Sequence, residues 1–505
     1  MALEQMEKVL ARVQPAVRDF LSSGPKRLLI GGRWEESASG KTFETLDPAT
    51  GQVLARVAEG DDADVDLAVK AARRAFDEEW STLSPGARGR LLFRLADLIE
   101  EHSEELAQLE TLDNGKPLTE SMYLDIAYTV ETYRYYAGWS NKIHGETLPV
   151  SPMVGNFFVY TRREPVGVVG AIVPWNFPML LTSWKLAPAL AAGNTVVLKP
   201  AEETPLTAIR LGELVQEAGF PDGVVNIVTG YGPTAGAALA SSPGVDKIAF
   251  TGSTETGRKI VEASAGNLKR VHLELGGKSP NIVFADAPVE AAVQGAFLGI
   301  YLNQGEVCCA GSRLLVQSSI FDDFTGQLAE AASQIHLGHG LEPGTEMGPL
   351  VSQQQLDRVL DYLQIGRMEG AKVAVGGELA GGDLANGYFV KPTLFTQVKG
   401  DMRIAQEEIF GPVVVAMPFQ DEDELIRLAN GTIYGLAAGI WTRDISRAHR
   451  LAAALQAGTV WINCYNMVDP AAPFGGYKMS GYGRDLGGEA LGQYTHTKAV
   501  WVNLD

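Results

Sequence analysis

From Val166 onward one pattern recurs along the chain. Short runs rich in β-branched residues (VGVVGAIVP, TVVLKP, VVNIVTG, DKIAFTG and NIVFADA) alternate with Ala-rich amphipathic stretches. Apolar runs of this length fit strands covered on both faces, with the intervening helices as the covers. Buried strands joined by helices run parallel through right-handed crossovers, so the expected class is α/β with a parallel sheet. Ligands on such a sheet bind beyond the carboxyl ends of its strands. PWNFP, KPAEETP and TGSTETG all fall there.

A second alternating region runs from about Arg313 to Gly476. From Asp61 up to the first region the pattern is helical. Asp61 caps a helix with Val65, Ala68, Val69, Ala72 and Phe76 on one face, and a longer one follows Pro85 with Leu91, Leu92, Leu95, Leu98, Ile99 and Leu106 as its stripe. At the start, Leu3, Met6, Val9, Leu10, Val13, Val17, Phe20 and Leu21 recur at helical spacing until Gly24 and Pro25. Glu4, Glu7 and Asp19 depart from the acid-poor character of a cleaved presequence, so a docked surface helix is expected. The tail, YTHTKAVWVNLD, reads as an exposed strand that needs a partner.

Charge narrows the function. In 505 residues, 42 Lys and Arg face 61 Asp and Glu, a formal net charge of -19. Such a surface repels phosphate backbones and anionic lipid, so neither nucleic acid nor membrane is an expected partner. Three cysteines, two of them adjacent, cannot make a disulfide framework, which points to a reducing, cytoplasmic setting.

Several short segments carry chemistry. FTGSTETGRKI reads as strand, Gly-rich turn and helix start, where exposed amides suit a phosphate or simply begin a helix; Arg258 and Lys259 stand where a P-loop needs Lys then Ser or Thr. In VVLKPAEETP, Lys199 and Glu202 could hold ribose hydroxyls or form a surface ion pair. LELGGKSP puts Glu274 in an apolar strand, where burial would raise its pKa toward that of a general base; satisfying the Gly amides is the structural alternative. PWNFP pins Asn176 between prolines, as a fixed oxyanion donor or an Asx turn. QEEIFGPV carries the adjacent acids Glu407 and Glu408. In NQGEVCCAGSR, Glu306 precedes Cys308 and Cys309. A carboxylate aimed at a thiol raises its pKa, so Glu306 would be a poor activator. Adjacent residues of an extended chain face opposite ways, so only one sulfur meets a given pocket, and the stretch alone does not say which.

Taken in order, PWNFP, KPAEETP, FTGSTETG, LELGGKSP, NQGEVCCAGSR, EEIFGPV and PFGGYKMSG resemble the aldehyde dehydrogenase superfamily, over nearly the whole chain. ETYRYYAGWSNKIHG and INCYNMVDPAAPFGGYKMSG are most similar to bacterial phenylacetaldehyde dehydrogenases and to the tetrameric retinal and acetaldehyde enzymes. The resemblance implies a Rossmann-like parallel-sheet cofactor domain (residues 25–145 and 166–276), an α/β catalytic domain (277–477) and a small β oligomerisation arm (146–165 and 486–505), after an N-terminal helical extension (1–24). It implies Cys308 as nucleophile, Glu274 as general base, and Asn176 with the Cys308 amide as oxyanion hole. Lys199 and Glu202 are implied at the adenosine ribose, Gly252 and Ser253 at the pyrophosphate, Glu408 at the nicotinamide ribose, and Ile172, Trp175 and Phe410 along the cofactor path. Leu181, Trp184, Val307, Cys309 and Phe474 are implied in an apolar substrate tunnel, and no metal is implied. NAD is the expected cofactor, since Glu202 would repel a 2′-phosphate, although some relatives with that Glu use NADP. Glu274 in LELGG points to the hydrolytic branch, because a CoA-acylating relative needs no water-activating base there. The expected substrate is a small-molecule aldehyde, hydrophobic or aromatic and of broad range. The expected assembly is a homo-oligomer, a tetramer rather than a dimer.

Two other classes stay open. A Cys-dependent esterase would need the thiol and base without the ribose-holding pair. A non-catalytic structural homologue would be free to lose Cys308, Glu274 or Asn176, and all three are present.

Overall fold

The computed structural model describes residues 9–505. Two open sheets carry the α/β organisation. The first is built on β1 (Val168–Ile172), β2 (Thr195–Lys199), β3 (Val225–Ile227), β4 (Lys247–Thr251) and β5 (Arg270–Glu274). These five run parallel in the spatial order β5-β4-β1-β2-β3. Residues of β1, β2 and β4 are buried throughout, as the unbroken apolar runs require. Antiparallel edges are added by Leu28–Ile30 and Arg33–Glu35 beyond β3, and by Gly481–Tyr482 beside β5.

That order contains a switch point. From β1 the chain moves through β2 to β3 on one side, then returns to place β4 and β5 on the other. A crevice therefore opens beyond the carboxyl ends of β1 and β4, where neighbouring connections leave in opposite directions. PWNFP follows β1 and TGSTETG follows β4, so both border it.

The second sheet is built on β6 (Pro280–Val283), β7 (Arg313–Gln317), β8 (Val413–Phe419), β9 (Ala437–Trp441) and β10 (Thr459–Ile462). Its parallel order is β8-β7-β6-β9-β10, extended beyond β8 by Thr393–Thr396 and Lys372–Val375. NIVFADA thus begins this sheet rather than extending the first. The tail finds its partner within the chain: Thr495–Asn503 pairs antiparallel with Phe157–Pro165, which also pairs with Thr147–Leu148.

Two helices position side chains at the site: α1 (Pro178–Ala191) and α2 (Thr254–Ser264). Two expected helices are divided. The stripe after Pro85 breaks at His102 (φ -102°, ψ 18°), leaving Pro85–Glu101 and Ser103–Asn114, with Leu106 on the second. The N-terminal periodicity is not one helix either. Gln14 is extended (φ -60°, ψ 153°) before Pro15, whose ring disfavours a helical predecessor, and the helix there is Pro15–Ser22. Val17 and Phe20 dock it against Phe43, Leu54, Leu206 and Ile209. Leu3 and Met6 lie outside the described residues. Among those described, no helix is long and apolar enough to cross a membrane.

Candidate active site

The cavity at the switch point has a volume of about 580 Å³. Trp175 and Asn176 border it from the turn after β1, Gly252 and Ser253 from the turn after β4, and Cys308, Glu408 and Phe410 from the second sheet's side. Residues far apart in sequence therefore meet where the fold leaves space. Trp175 and Phe410 stand edge to face, ring centroids 5.2 Å apart. Ser253 caps α2 by accepting from the Thr256 amide at 3.1 Å, so the Gly-rich turn is a helix entry, and it borders the cavity.

Cys308 is brought in by a strained segment. Asn303, Gln304 and Gly305 take left-handed φ values of 47°, 55° and 72° in succession. A left-handed turn costs about 1–2 kcal/mol per non-Gly residue, so the surroundings must hold it. Asn303 is anchored twice: its amide donates to Glu120 Oε2 at 2.9 Å and its Nδ2 to the Asn176 carbonyl at 2.8 Å. The cysteine pair then sits in a tight turn closed by Ala310 N–H donating to Val307 O at 3.0 Å, rather than in extended chain. The two cysteines differ in exposure. Cys308 is half-buried at the cavity; Cys309 is buried, its thiol 3.6 Å from Asn466 Oδ1. The adjoining Cys309 thiol, then burial, push the Cys308 thiol well above its ordinary pKa, and the carboxylates Glu408 and Glu274 add to the effect. At rest it is a thiol that needs a base.

Glu306 turns away from both sulfurs. Its Oε1 accepts from the Val351 amide at 3.1 Å, and its backbone carbonyl accepts from Asn176 Nδ2 at 2.8 Å. That bond uses one hydrogen of the Asn176 amide and leaves the other free. Burial pushes the Glu306 carboxyl well up.

Glu274 ends β5, buried, its Oε1 3.2 Å from His272 Nε2. Burial and then the Asp485 carboxylate raise its pKa far above the usual carboxylate range, against Lys185 and Arg484. The Gly277 amide does not depend on it, donating instead to Glu408 Oε1 at 2.9 Å. Burial brings Glu408 to about 7. Its neighbour Glu407 faces outward to Arg403 and Tyr362, which separates the two adjacent acids.

Lys199, the last residue of β2, is paired with Glu202 at 2.6 Å and is buried, so this is no freely solvated surface pair; neither borders the cavity. Ile172 is packed in the first sheet's core with Val197 and Phe250. Leu181, Trp184, Val307, Cys309 and Phe474 fall into one apolar cluster against which Cys308 rests. Leu181 and Trp184 share a face of α1, and the Trp184 and Phe474 rings lie 5.3 Å apart.

The structure adds residues that motif reading passed over. Lys116 donates to the Asn176 carbonyl at 2.8 Å and is ion-paired with Asp125, both fully buried. Gln355, Arg358 and Tyr434 border the cavity. His272 stands two residues before Glu274 on the same strand face, a spacing that RVHLELGG displays.

A sequence profile described as the aldehyde dehydrogenase family matches residues 34–500. DhaS of Bacillus subtilis (strain 168) is 54% identical over 501 residues, covering 99% of this chain and 100% of that protein. Human retinal dehydrogenase 2 is 50% identical over 481 residues, covering 95% of this chain and 92% of that protein. The NAD+ complex of an aldehyde dehydrogenase from Bacillus cereus superposes with a TM-score of 0.95 at 54% identity, covering 98% of this chain and 99% of that one.

Proposed function

The chain belongs to the aldehyde dehydrogenase family, and from that premise we propose that it oxidises aldehydes to carboxylic acids through a covalent adduct on Cys308, with NAD+ as cofactor. The observation that carries this reading is the meeting of Cys308, Asn176, Glu408 and the Gly252–Ser253 turn on one cavity.

The donor set fits a nicotinamide dinucleotide. The amides at the start of α2 suit its pyrophosphate, the Glu408 carboxylate a ribose hydroxyl, and the Trp175–Phe410 pair a flat apolar ring. Lys199 and Glu202 would hold the adenosine ribose, where Glu202 disfavours a 2′-phosphate, and Ile172 would line the cofactor path; NADP is the weaker alternative. When bound, the cofactor supplies the two-electron acceptor. The Cys308 proton passes to Glu274 and on to solvent, and the sulfur attacks the aldehyde carbon. The free N–H of Asn176 and the Cys308 amide hold the oxygen that becomes negative. Oxidation of this thiohemiacetal leaves a thioester on Cys308. Glu274 takes a proton from the attacking water, Cys308 leaves as the thiol, and the acid is released.

The cluster of Leu181, Trp184, Val307, Cys309 and Phe474 offers an apolar wall and no basic anchor, which favours neutral hydrophobic or aromatic aldehydes. Such a wall discriminates by only about 1–3 kcal/mol per methylene, so the range is broad. Trp501 and Phe158 are exposed on the three-stranded arm, as an oligomer contact would use them, and a homotetramer in the cytoplasm is the proposed state. The division into cofactor domain, catalytic domain and arm is proposed with the boundaries stated above.

NADH fluorescence across aliphatic, aromatic and amino aldehydes, with NAD+ and NADP+ in parallel, tests the reading. Turnover of p-nitrophenyl acetate with no NADH from any aldehyde would replace it with a Cys-dependent esterase.

A further inference from the structure

Behind Glu274 lies a buried polar group that the reaction as described does not use. His272 and Glu274 occupy alternate positions of β5 and so face the same side. His272 is fully buried, with Nε2 3.2 Å from Glu274 Oε1 and Nδ1 3.7 Å from Asp485 Oδ1. The other oxygen of Asp485 is ion-paired with Lys185 on α1. His272 Nδ1, Glu274 Oε2 and Asp485 Oδ1 lack any further hydrogen-bond partner. Unpaired polar atoms in the interior are costly, so their grouping calls for a use.

The trio is spaced closely enough for a metal ion, its ligand atoms within 4.8 Å of one another. The surrounding charges oppose that use. Lys185 already neutralises Asp485, and Lys247 on β4 and Arg484 in the loop beside Asp485 add positive potential. The same cations, after burial, hold the imidazole well below its ordinary pKa and hence neutral. A neutral imidazole carries one proton, and with that proton on Nε2 it offers Glu274 a donor and leaves Nδ1 as an acceptor.

We propose that His272 is the positioning residue of the general base: its Nε2–H donates to Glu274, orients the carboxyl and favours carboxylate over acid, while its Nδ1 faces the Asp485–Lys185 pair. This rests on Glu274 acting as the base. The groups facing the imidazole are Glu274 on its own strand, Lys247 on β4, Lys185 on α1, and Arg484 and Asp485 in the returning loop. None of the others reaches Glu274 with a hydrogen bond, so the loss of His272 leaves the carboxylate without a donor.

The test is kcat against pH at saturating aldehyde and NAD+ for wild type, His272→Leu, His272→Asn and His272→Gln, with Glu274→Gln as reference. Gln reaches as far as Nε2 and carries a donor; Leu carries none, and Asn is polar but too short. His272→Leu and His272→Asn are expected to move the acid limb of kcat up by about one pH unit, roughly a tenfold loss below the limb, with KM within about twofold. His272→Gln should keep the limb near that of wild type. If His272→Leu does not fold, His272→Asn decides alone. A limb unmoved in the loss variants, or moved equally in His272→Gln, overturns the proposal. Should Glu274→Gln itself keep the wild-type limb, the base assignment falls first, and the two failures are thereby told apart.

Discussion

The side-chain amide of Asn176 donates to the backbone carbonyl of Glu306, 2.8 Å away. This one bond ties the turn after β1 to the strained segment that presents Cys308, two residues on. It is reinforced from the other side. The Asn176 carbonyl accepts from Lys116 Nζ and from Asn303 Nδ2, each at 2.8 Å, so the peptide that would hold an oxyanion is fixed at both ends.

Asn176→Ala should lower kcat by about 10²–10³-fold, the usual effect of losing one oxyanion donor. Lys116→Met should act through stability as well. It strands the fully buried Asp125, at a cost of about 3–5 kcal/mol. Denaturant unfolding separates the two variants. Asn176→Ala is expected near the wild-type midpoint, and an equal loss of stability in both would contradict the separate roles.

Cys308→Ala should abolish NADH production, because of the two adjacent cysteines Cys308 is the one that borders the cavity. Cys309→Ala removes a buried wall of the apolar cluster and should mainly change KM. Steady-state assays with one aldehyde decide the matter, and equal losses would undo the assignment of the nucleophile.

Glu306→Gln should hold or raise stability, by more at high pH. Burial raises the carboxyl in the folded chain above its unfolded value. Its share of stability is therefore full below the unfolded pKa and is lost as pH rises through the folded one. A Gln keeps the acceptor for Val351 and never ionises. The difference in Tm between variant and wild type, measured from pH 5 to pH 8, should widen in favour of Gln, with NADH production largely kept. A constant difference would mean Glu306 does not titrate in that window.

Glu202→Gln should raise kcat/KM for NADP+ relative to NAD+ by about tenfold or more, by removing a like charge near the 2′-phosphate. Lys199, paired with Glu202 at 2.6 Å, is then free to meet that phosphate. Parallel kinetics with the two cofactors measure the ratio, and an unchanged ratio would place the adenosine ribose elsewhere.

How far the sequence could be read depends on where each signal is stored. The apolar runs of β1, β2 and β4 announce strands buried on both faces, because continuous burial leaves no polar alternation. Glu274 announces its own burial through the leucines on either side. The breaks at Gln14 and His102 were less legible, since apolar spacing continues across them while backbone conformation does not. The direction of Glu306 was not legible at all. Its partner Val351 lies 45 residues away, and nothing local encodes that meeting.

By itself the sequence determined the α/β class, the buried strands of the first sheet, and the family through seven motifs in order. These depend on residue periodicity and local conformational preference, which neighbouring residues carry. Tertiary structure alone decided that the turns after β1 and β4 face Cys308 across one cavity, that Glu408 rather than Glu407 points inward, and that His272 stands between Glu274 and Asp485. Each of these is a choice of side-chain direction among groups distant in sequence. Such choices follow from close packing and from satisfying buried polar atoms, and those constraints exist only once the chain has folded.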